Sequence, residues 1–181
     1  VQPHANGCLV KLEKTYYFLQ DSKRSGITNP GMLYSYGYDF SDAALANQAD
    51  TALAVGENLL PASGALVKKP GDPTVFLVTG GVKRGFVSAE IFWALGYKFS
   101  SVLLVTAPEL DAVPLGEIIS DPDMPHTFGS QVSDNGIVYW LDGSQRLPYP
   151  SLAVYNSWNL DNDFSTVVPA NAADKQMPVG A

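Results

Sequence analysis

The chain has 181 residues, of which 46% are apolar and 16% are charged, a balance that is typical of globular proteins and excludes a disordered tail or a coiled coil. Eighteen acidic against 11 basic residues give a net charge of −7, which disfavours nucleic acid and anionic lipid surfaces as partners. We therefore expect no nucleic-acid partner.

The chain begins with VQPHANG, which contains neither a basic segment nor the apolar core of a signal peptide. No later run of uncharged apolar residues is long enough to span a bilayer. We therefore expect a soluble, mature chain without direct membrane insertion. Residues 1–6 are interpreted as an N-terminal connector.

Three segments then repeat one pattern, opening with GCLVK at Gly7, GALVK at Gly64 and GSQVS at Gly129. A strand-like run follows each opening (TYYFL, TVFLV, IVYWL), and a polar turn follows each run (QDSKR, TGGVKR, DGSQR). Two β-rich runs around such a turn predict a hairpin. The turns place three arginines at equivalent points: Arg24, Arg84 and Arg146.

A short helix is predicted after each hairpin. Its first turn follows a residue whose side chain can accept a bond from free N–H groups, and eight positions later comes a residue that tolerates a left-handed backbone. The caps are Asn29, Ser88 and Ser151, and the terminators are Gly37, Gly96 and Asn159. The predicted helices are 30–36, 89–95 and 152–158.

Apolar residues three and four apart give each helix one face that we expect to be buried. The faces consist of Met32, Leu33 and Tyr36, then Ile91, Phe92 and Leu95, then Val154, Tyr155 and Trp158. A helix this short is unstable alone in water, so packing against the hairpin must stabilise it.

Each helix is followed by an aromatic exit and a serine (YDFS, YKFS, LDNDFS), then by a tail that ends at Gly56, Gly116 or Gly180. The stretch SVLLVT in the second tail predicts a short strand. Together these features predict an α+β chain of three tandem ββα-type repeats, each a β-hairpin with a two-turn helix. Their bounds are 7–60 for repeat 1, 61–117 for repeat 2, 118–127 for a turn-rich linker and 128–181 for repeat 3.

The second unit resembles a repeat of bacterial secreted and cell-surface proteins, including those of candidate-phyla bacteria. The resemblance is carried by its GALVK opening, the strand TVFLV, GGVKR, a capped helix ending LGY, then FSSV and a final PLG. It implies tandem modules at the cell surface without an established catalytic role. Units 1 and 3 depart from it, since Ala54 replaces Pro114 and WNL replaces LGY.

No catalytic constellation is evident in the sequence. The two histidines, His4 and His126, fall in Pro-rich segments outside the repeats, and the single cysteine, Cys8, has too few neighbours for a zinc site. Because Ala65 and Ser130 stand at the place of Cys8 in the other repeats, we interpret it as a small strand residue. We expect no cofactor, no metal and no enzymatic activity.

Two loops could hold ions or phosphate. TGGVKRG lacks the ending of a phosphate-binding loop and is interpreted as a turn. Asn159, Asp161 and Asp163 alternate like the first ligands of a calcium loop, but Ala170 stands where the glutamate ligand would be needed. Calcium stays an alternative to a solvated loop.

The residues singled out for structural or binding roles are the three arginines and the strand aromatics Tyr16, Phe76, Tyr139 and Trp140, beside Tyr17. The arginines are expected to bond carbonyls and cover aromatic rings, and the alternative is that they hold a carboxylate or sugar acid. Roughly half of the alternating aromatics should face the core.

Repeated surfaces suit assembly and adhesion better than one catalytic cleft does. The sequence therefore favours a non-catalytic structural or adhesive module of a bacterial extracellular surface protein, such as a filament, pilus or surface-layer subunit. The alternative is a carbohydrate- or cell-wall-binding module of a larger secreted enzyme. The expected partners are copies of the chain itself or a cell-surface polymer.

Overall fold

The computed structural model describes residues 1–159 and 163–180, and in these ranges the chain forms one small sheet per unit together with short helices. The elements of unit 1 are β1 Leu9–Leu12, β2 Thr15–Gln20, β3 Lys23–Gly26, α1 Pro30–Ser35, β4 Ala44–Leu45, α2 Gln48–Ala52 and β5 Ala54–Val55. Those of unit 2 are β6 Leu66–Lys68, β7 Phe76–Thr79, β8 Val82–Gly85, α3 Ala89–Ala94, β9 Val102–Leu104 and α4 Ala107–Ala112. Those of unit 3 are β10 Gln131–Asp134, β11 Ile137–Leu141, β12 Arg146–Pro148, α5 Leu152–Trp158, β13 Val168–Pro169 and α6 Ala172–Gln176.

The three sheets share one topology. Their strand orders are β4-β1-β2-β3-β5, β9-β6-β7-β8 and β13-β10-β11-β12, with antiparallel pairing among the first three strands of each unit and a parallel edge strand beside the first. A closing segment lies parallel to the third strand in every unit. In unit 1 it is β5, and in units 2 and 3 it consists of single bridges, of Leu115 with Lys83 and of Val179 with Arg146. The chain is therefore α+β. The simpler ββα unit is not confirmed, because each sheet has a third antiparallel strand and each unit has a second helix.

The predicted helices are confirmed within one residue. The side chains of the caps Asn29, Ser88 and Ser151 accept bonds from the backbone N–H groups of Met32, Ile91 and Val154. The strand predicted in SVLLVT is confirmed as β9.

The predicted terminators are confirmed in the first two units and wrong in the third. Gly37 and Gly96 have left-handed backbones with φ of 73° and 79°. Asn159 instead has a φ of −131°, and its side-chain Nδ2 donates to the carbonyl oxygen of Tyr155 at 2.9 Å. The backbone N–H of Asn159 donates to the same carbonyl at 3.0 Å, so side chain and backbone end this helix together.

The second helix of each unit begins with a reciprocal cap that the sequence analysis missed. An Asn or Thr caps the helix, and an acid three residues later accepts from the backbone N–H of the cap residue. These pairs are Asn47 with Asp50, Thr106 with Glu109, and Asn171 with Asp174. We call the buried carboxylates Asp50, Glu109 and Asp174 the capping acids.

The helix faces are buried in units 1 and 2 and partly exposed in unit 3. Met32, Leu33 and Phe92 are each 1% exposed, as expected. Trp158 is 71% exposed, so the prediction that it belongs to a buried face is wrong. Units 2 and 3 share one continuous core, in which Leu77 and Phe92 of unit 2 belong to the same cluster as Leu141 of unit 3.

Candidate functional site: the unit junctions and the central cleft

The strand register shows which basic residues are equivalent in the three units. Arg24 pairs with Leu19 and Arg146 pairs with Leu141, and the carbonyls of Leu19 and Leu141 accept from the opening glycines of their units. In unit 2 the carbonyl with this role belongs to Val78, and Val78 pairs with Lys83. The predicted equivalence of Arg84 is therefore wrong by one residue. The three turns have the same length, since TGGVK corresponds to QDSKR and DGSQR, and aligning the units on their arginines shifted unit 2 by one residue.

The three equivalent cations cover equivalent rings. Arg24 lies over Tyr17 at 5.3 Å, Lys83 over Phe76 at 5.7 Å and Arg146 over Tyr139 at 4.7 Å, measured to the ring centroids.

The polar ends of Lys83 and Arg146 are held within their own units, whereas Nε of Arg24 is buried without a hydrogen-bond partner in the described part of the chain. The Nζ of Lys83 donates to the carbonyl of Leu110 at 2.6 Å, and Arg146 pairs with Asp134 at 3.1 Å. Arg84 donates from Nε to the carbonyl of Glu117 at 2.7 Å.

The strand aromatics divide between the core and the surface. Tyr139 is 7% exposed and belongs to the core that units 2 and 3 share. Tyr16 and Phe76 are half-buried, and Tyr16 packs edge-on against Phe40 at 4.8 Å. Trp140 is also half-buried, and it lies in the wall of a cleft described below.

The two histidines occupy one repeated position, which corrects their placement outside the repeats. His4 and His126 each stand three residues before an opening glycine, in PHANG and PHTFG. The backbone N–H of His4 donates to Asp50 at 2.7 Å and its Nδ1 lies 2.7 Å from the same carboxylate. The corresponding distances from His126 to Asp174 are 2.7 and 2.6 Å.

The capping acid of unit 3 is held in its ionised form. Burial raises the pKa of Asp174, but the hydrogen bonds and charge of His126 and the backbone N–H of Asn171 outweigh this, so that the net pKa lies below its usual range. The same balance lowers the pKa of Asp50 beside His4. Asp174 is completely buried, which makes its pairing with His126 a structural requirement.

His126 links unit 3 to unit 2. Its Nε2 lies 2.8 Å from the carbonyl oxygen of Leu95, at the end of α3. A carboxylate and a carbonyl both only accept hydrogen bonds, so the ring of His126 is held between two acceptors. Tyr97 packs edge-on against the ring at 5.6 Å, and burial raises the pKa of the Tyr97 hydroxyl to about 12.

Unit 2 uses its capping acid differently. Pro61 stands where the other units have histidine, and Glu109 accepts instead from the side-chain amide of Asn29 in unit 1. Each of these two capping acids is thus joined to the helix of the preceding unit, directly for Glu109 and through His126 for Asp174.

Further bonds seal the junction of units 1 and 2. The hydroxyl of Tyr36 donates to the carbonyl of Leu60 at 2.8 Å, and the N–H of Ala62 donates to Ser35 Oγ at 3.1 Å. Gly31 lies so close to the carbonyl of Leu104 on β9 that a Cβ would overlap it. The C-terminal turn of one helix therefore docks on the segment that opens the next unit.

The first and last units expose the same surfaces that the internal junctions bury. The side chain of His4 is 33% exposed, against 1% for His126, and its Nε2 has no hydrogen-bond partner among the described residues. Trp158 corresponds to Leu95, since each stands seven residues after its cap, and they are 71% and 4% exposed. We call the surface around His4 and Leu45 the head surface, and the last turn of α5, with Ser157 and Trp158, the tail surface.

A central cleft of about 720 Å³ opens where the three units meet. Its walls come from the end of α1, the openings of units 2 and 3, the exits of α3 and α5, and β12. The aromatic side chains in its lining are Tyr34, Tyr36, Tyr97, Trp140, Tyr149 and Trp158. The charged residues among its described lining are Lys98 and Asp163, which have opposite signs.

Amide side chains form a polar patch in the cleft wall. Gln131 donates from Nε2 to Asn159 Oδ1 at 2.7 Å, while its Oε1 is buried without a hydrogen-bond partner in the described part of the chain. Burial raises the pKa of the nearby Tyr149 hydroxyl, against the lowering effect of a hydrogen bond with Asn159. This wall can bind a neutral ligand through both aromatic and hydrogen-bonding contacts.

The described residues include only part of the possible calcium loop. Asp161 of the possible calcium loop lies outside the described residues. Within the described ranges no group of three or more His, Cys, Asp or Glu side chains is arranged to hold a metal ion. Neither histidine lines the cleft, and Cys8 is half-buried ahead of β1. No helix in the described ranges is long and apolar enough to cross a membrane.

Comparisons with known proteins give only weak likenesses. No protein-family model and no curated protein matches the chain. A solved structure titled as the periplasmic assembly from the ESX-5 inner membrane complex is similar at 15% identity and a TM-score of 0.27, covering 99% of this chain and 67% of that chain. A structure of an intact ESX-5 inner membrane complex is similar at 16% identity and a TM-score of 0.25, covering 99% and 56%. Likenesses at this level establish neither a shared fold nor a shared function.

Proposed function

We propose that the chain is a non-catalytic structural module of a bacterial extracellular surface that associates head to tail with copies of itself. The observation that carries this proposal is the difference between two equivalent histidines. His126 is buried under the helix end of the preceding unit, and His4 presents the same ring, held by the same kind of carboxylate, to solvent.

The head surface presents a histidine ring as unit 3 does at its junction with unit 2. At the internal junction, a helix-end carbonyl accepts from Nε2 of His126. The corresponding atom of His4 is open to such a carbonyl. Leu45 on the edge strand β4 stands at the place of Leu104, whose backbone carbonyl receives α1 at the first junction, and the two leucines are 80% and 51% exposed.

The tail surface supplies the complementary half. Ser157 stands six residues after its cap, as Ser35 does, and Ser35 accepts from Ala62 at the first junction. Trp158 adds an exposed apolar side chain beside it. Because head and tail are different surfaces, each copy would keep one of them free, and the contact would continue from copy to copy as an open chain.

Sedimentation velocity over a wide range of protein concentration, followed by electron microscopy, tests this proposal. We expect the average mass to rise with concentration and elongated particles to appear. Leu45→Asp on the head surface and Ser157→Arg on the tail surface should each remain monomeric. Leu115→Asp is the matched control, since Leu115 is a similarly exposed edge leucine, at 72%, outside both surfaces.

Mixing the two monomeric variants distinguishes head-to-tail association from any other mode of self-association. The Leu45→Asp variant keeps an intact tail and the Ser157→Arg variant keeps an intact head, so the mixture should form a one-to-one dimer and stop there. A wild-type chain that stays monomeric throughout, or variants that fail to complement, would rule out the assembly.

A further inference from the structure

The central cleft is a feature that head-to-tail assembly leaves unexplained. Its volume of about 720 Å³ falls within the range of about 300–1,000 Å³ that small-ligand sites occupy. Its walls come from all three units, so its shape depends on both junctions.

We propose that the central cleft binds a short, uncharged oligosaccharide. A pyranose ring has a face of C–H groups and a rim of hydroxyls, and it needs aromatic surface for the first and amide or hydroxyl groups for the second. Trp140, Trp158 and Tyr149 supply the aromatic surface, and Gln131 and Asn159 supply the amides.

Gln131 and Asn159 place a hydrogen-bonded amide pair in the cleft wall, where a ligand hydroxyl would bind. The Nε2 of Gln131 is used by Asn159, so the amide orientation is fixed.

The charge of the cleft argues against anionic ligands. Lys98 is opposed by Asp163 in the described lining, and no arginine is present there to bind a phosphate or carboxylate with two bonds. A purely apolar ligand is disfavoured too, because it would cover the amide side chains of Gln131 and Asn159 without offering them hydrogen bonds.

An extended peptide fits the cleft poorly. The edge strand β12 borders the cleft, and a peptide would have to pair with this edge to add a strand. Pro148 and Pro150 on this side lack the N–H groups that such pairing uses.

Isothermal titration calorimetry with cellohexaose and chitohexaose tests the proposal, with a galacturonate hexamer as the charged comparison. We expect saturable binding of at least one uncharged oligosaccharide, a change in tryptophan fluorescence and no binding of the charged one. Trp140→Ala and Gln131→Leu should each weaken binding about tenfold or more. Trp93→Ala is the matched control, because Trp93 is exposed at 57% and does not line the cleft.

The outcomes distinguish this site from the proposed assembly. Leu45→Asp and Ser157→Arg should retain oligosaccharide binding while they abolish self-association. Failure of both uncharged oligosaccharides to bind, equal binding of the galacturonate hexamer, or unchanged affinity in both cleft variants would overturn the inference. Thermal unfolding followed by circular dichroism verifies that each variant is folded.

Discussion

The backbone of Gly64 lies directly against the backbone of Gly129, so the opening glycines of units 2 and 3 are in contact. A Cβ on Gly64 would overlap the carbonyl oxygen of Gly129, and one on Gly129 would lie 2.5 Å from the carbonyl carbon of Ser63. Both glycines have left-handed backbones, with φ of 92° and 91°.

Gly129→Ala should therefore destabilise the chain by more than its backbone strain alone. Gly7→Ala is the matched control, because Gly7 has a φ of 88° and nothing within 4 Å of its ideal Cβ. We expect Gly7→Ala to cost about 1–2 kcal/mol from the left-handed conformation. Urea unfolding should show a distinctly larger loss of unfolding free energy for Gly129→Ala. Equal losses would mean that the two units move apart at this contact without further cost.

Lys83 should matter more for stability than Arg84. Lys83→Met removes a charged hydrogen bond to the Leu110 carbonyl and should cost about 1.5–3 kcal/mol, whereas Lys83→Arg should be tolerated because arginine fills this place in units 1 and 3. Arg84→Ala loses a bond at the surface and should cost less than Lys83→Met. Denaturant unfolding of the three variants measures this order, and a larger loss for Arg84→Ala would contradict the register argument.

Asp174→Asn should destabilise the chain strongly at neutral pH. It removes the carboxylate that holds both the backbone N–H and the ring of the buried His126, and breaking a buried pair costs about 3–5 kcal/mol. Asp50→Asn should cost less, because His4 is one-third exposed and water can solvate it. Thermal unfolding at pH 7 compares the two, with Asp123→Asn on the surface as the control.

The contribution of the Asp174 pair should disappear in acid. Because the folded-state pKa lies below the usual aspartate value of about 3.9, its stabilisation is fully present above that pH and is lost as the pH falls through the folded-state pKa. The difference in unfolding free energy between wild type and Asp174→Asn should therefore shrink below about pH 4. A difference that persists unchanged at low pH would show that Asp174 acts only as a hydrogen-bond acceptor.

Asn29→Ser should show how much the contact between units 1 and 2 contributes to stability apart from helix capping. Serine caps α3 and α5, so the variant keeps the cap but cannot reach Glu109. We expect a loss of about 1–3 kcal/mol, since Glu109 Oε1 already lacks a partner in the described structure and Oε2 would lose its donor from unit 1. In the background of Glu109→Gln the same substitution should cost less, and additive effects would contradict a direct coupling.

The local structure of each unit could be predicted because short signals specify it. Asn29, Ser88 and Ser151 each mark a helix start through one side-chain oxygen, and the structure confirms all three. The second helices carried an equally local signal, the capping boxes NQAD, TAPE and NAAD, which a search for that motif would have found. The motif PHxxG at His4 and His126 was likewise visible before the structure.

The junctions and the cleft could not be predicted from such signals. The helix pattern placed Trp158 in the core, because its spacing matches that of Leu95. Leu95 is buried by the following unit and not by its own hairpin alone, so its burial depends on how the units dock. The same holds for Gln131 and Trp140, whose shared place in the cleft wall depends on the arrangement of all three units.

Pro61 makes the repeats non-interchangeable. A proline has no backbone N–H, so unit 2 cannot give its capping acid the bond that His4 and His126 give to theirs. Its glutamate accepts instead from the side chain of Asn29 in the preceding unit, and the first and third units have no such requirement. A chain with the repeats in another order would therefore form the same sheets but lose this pairing. The order of the repeats is thus part of what specifies the structure.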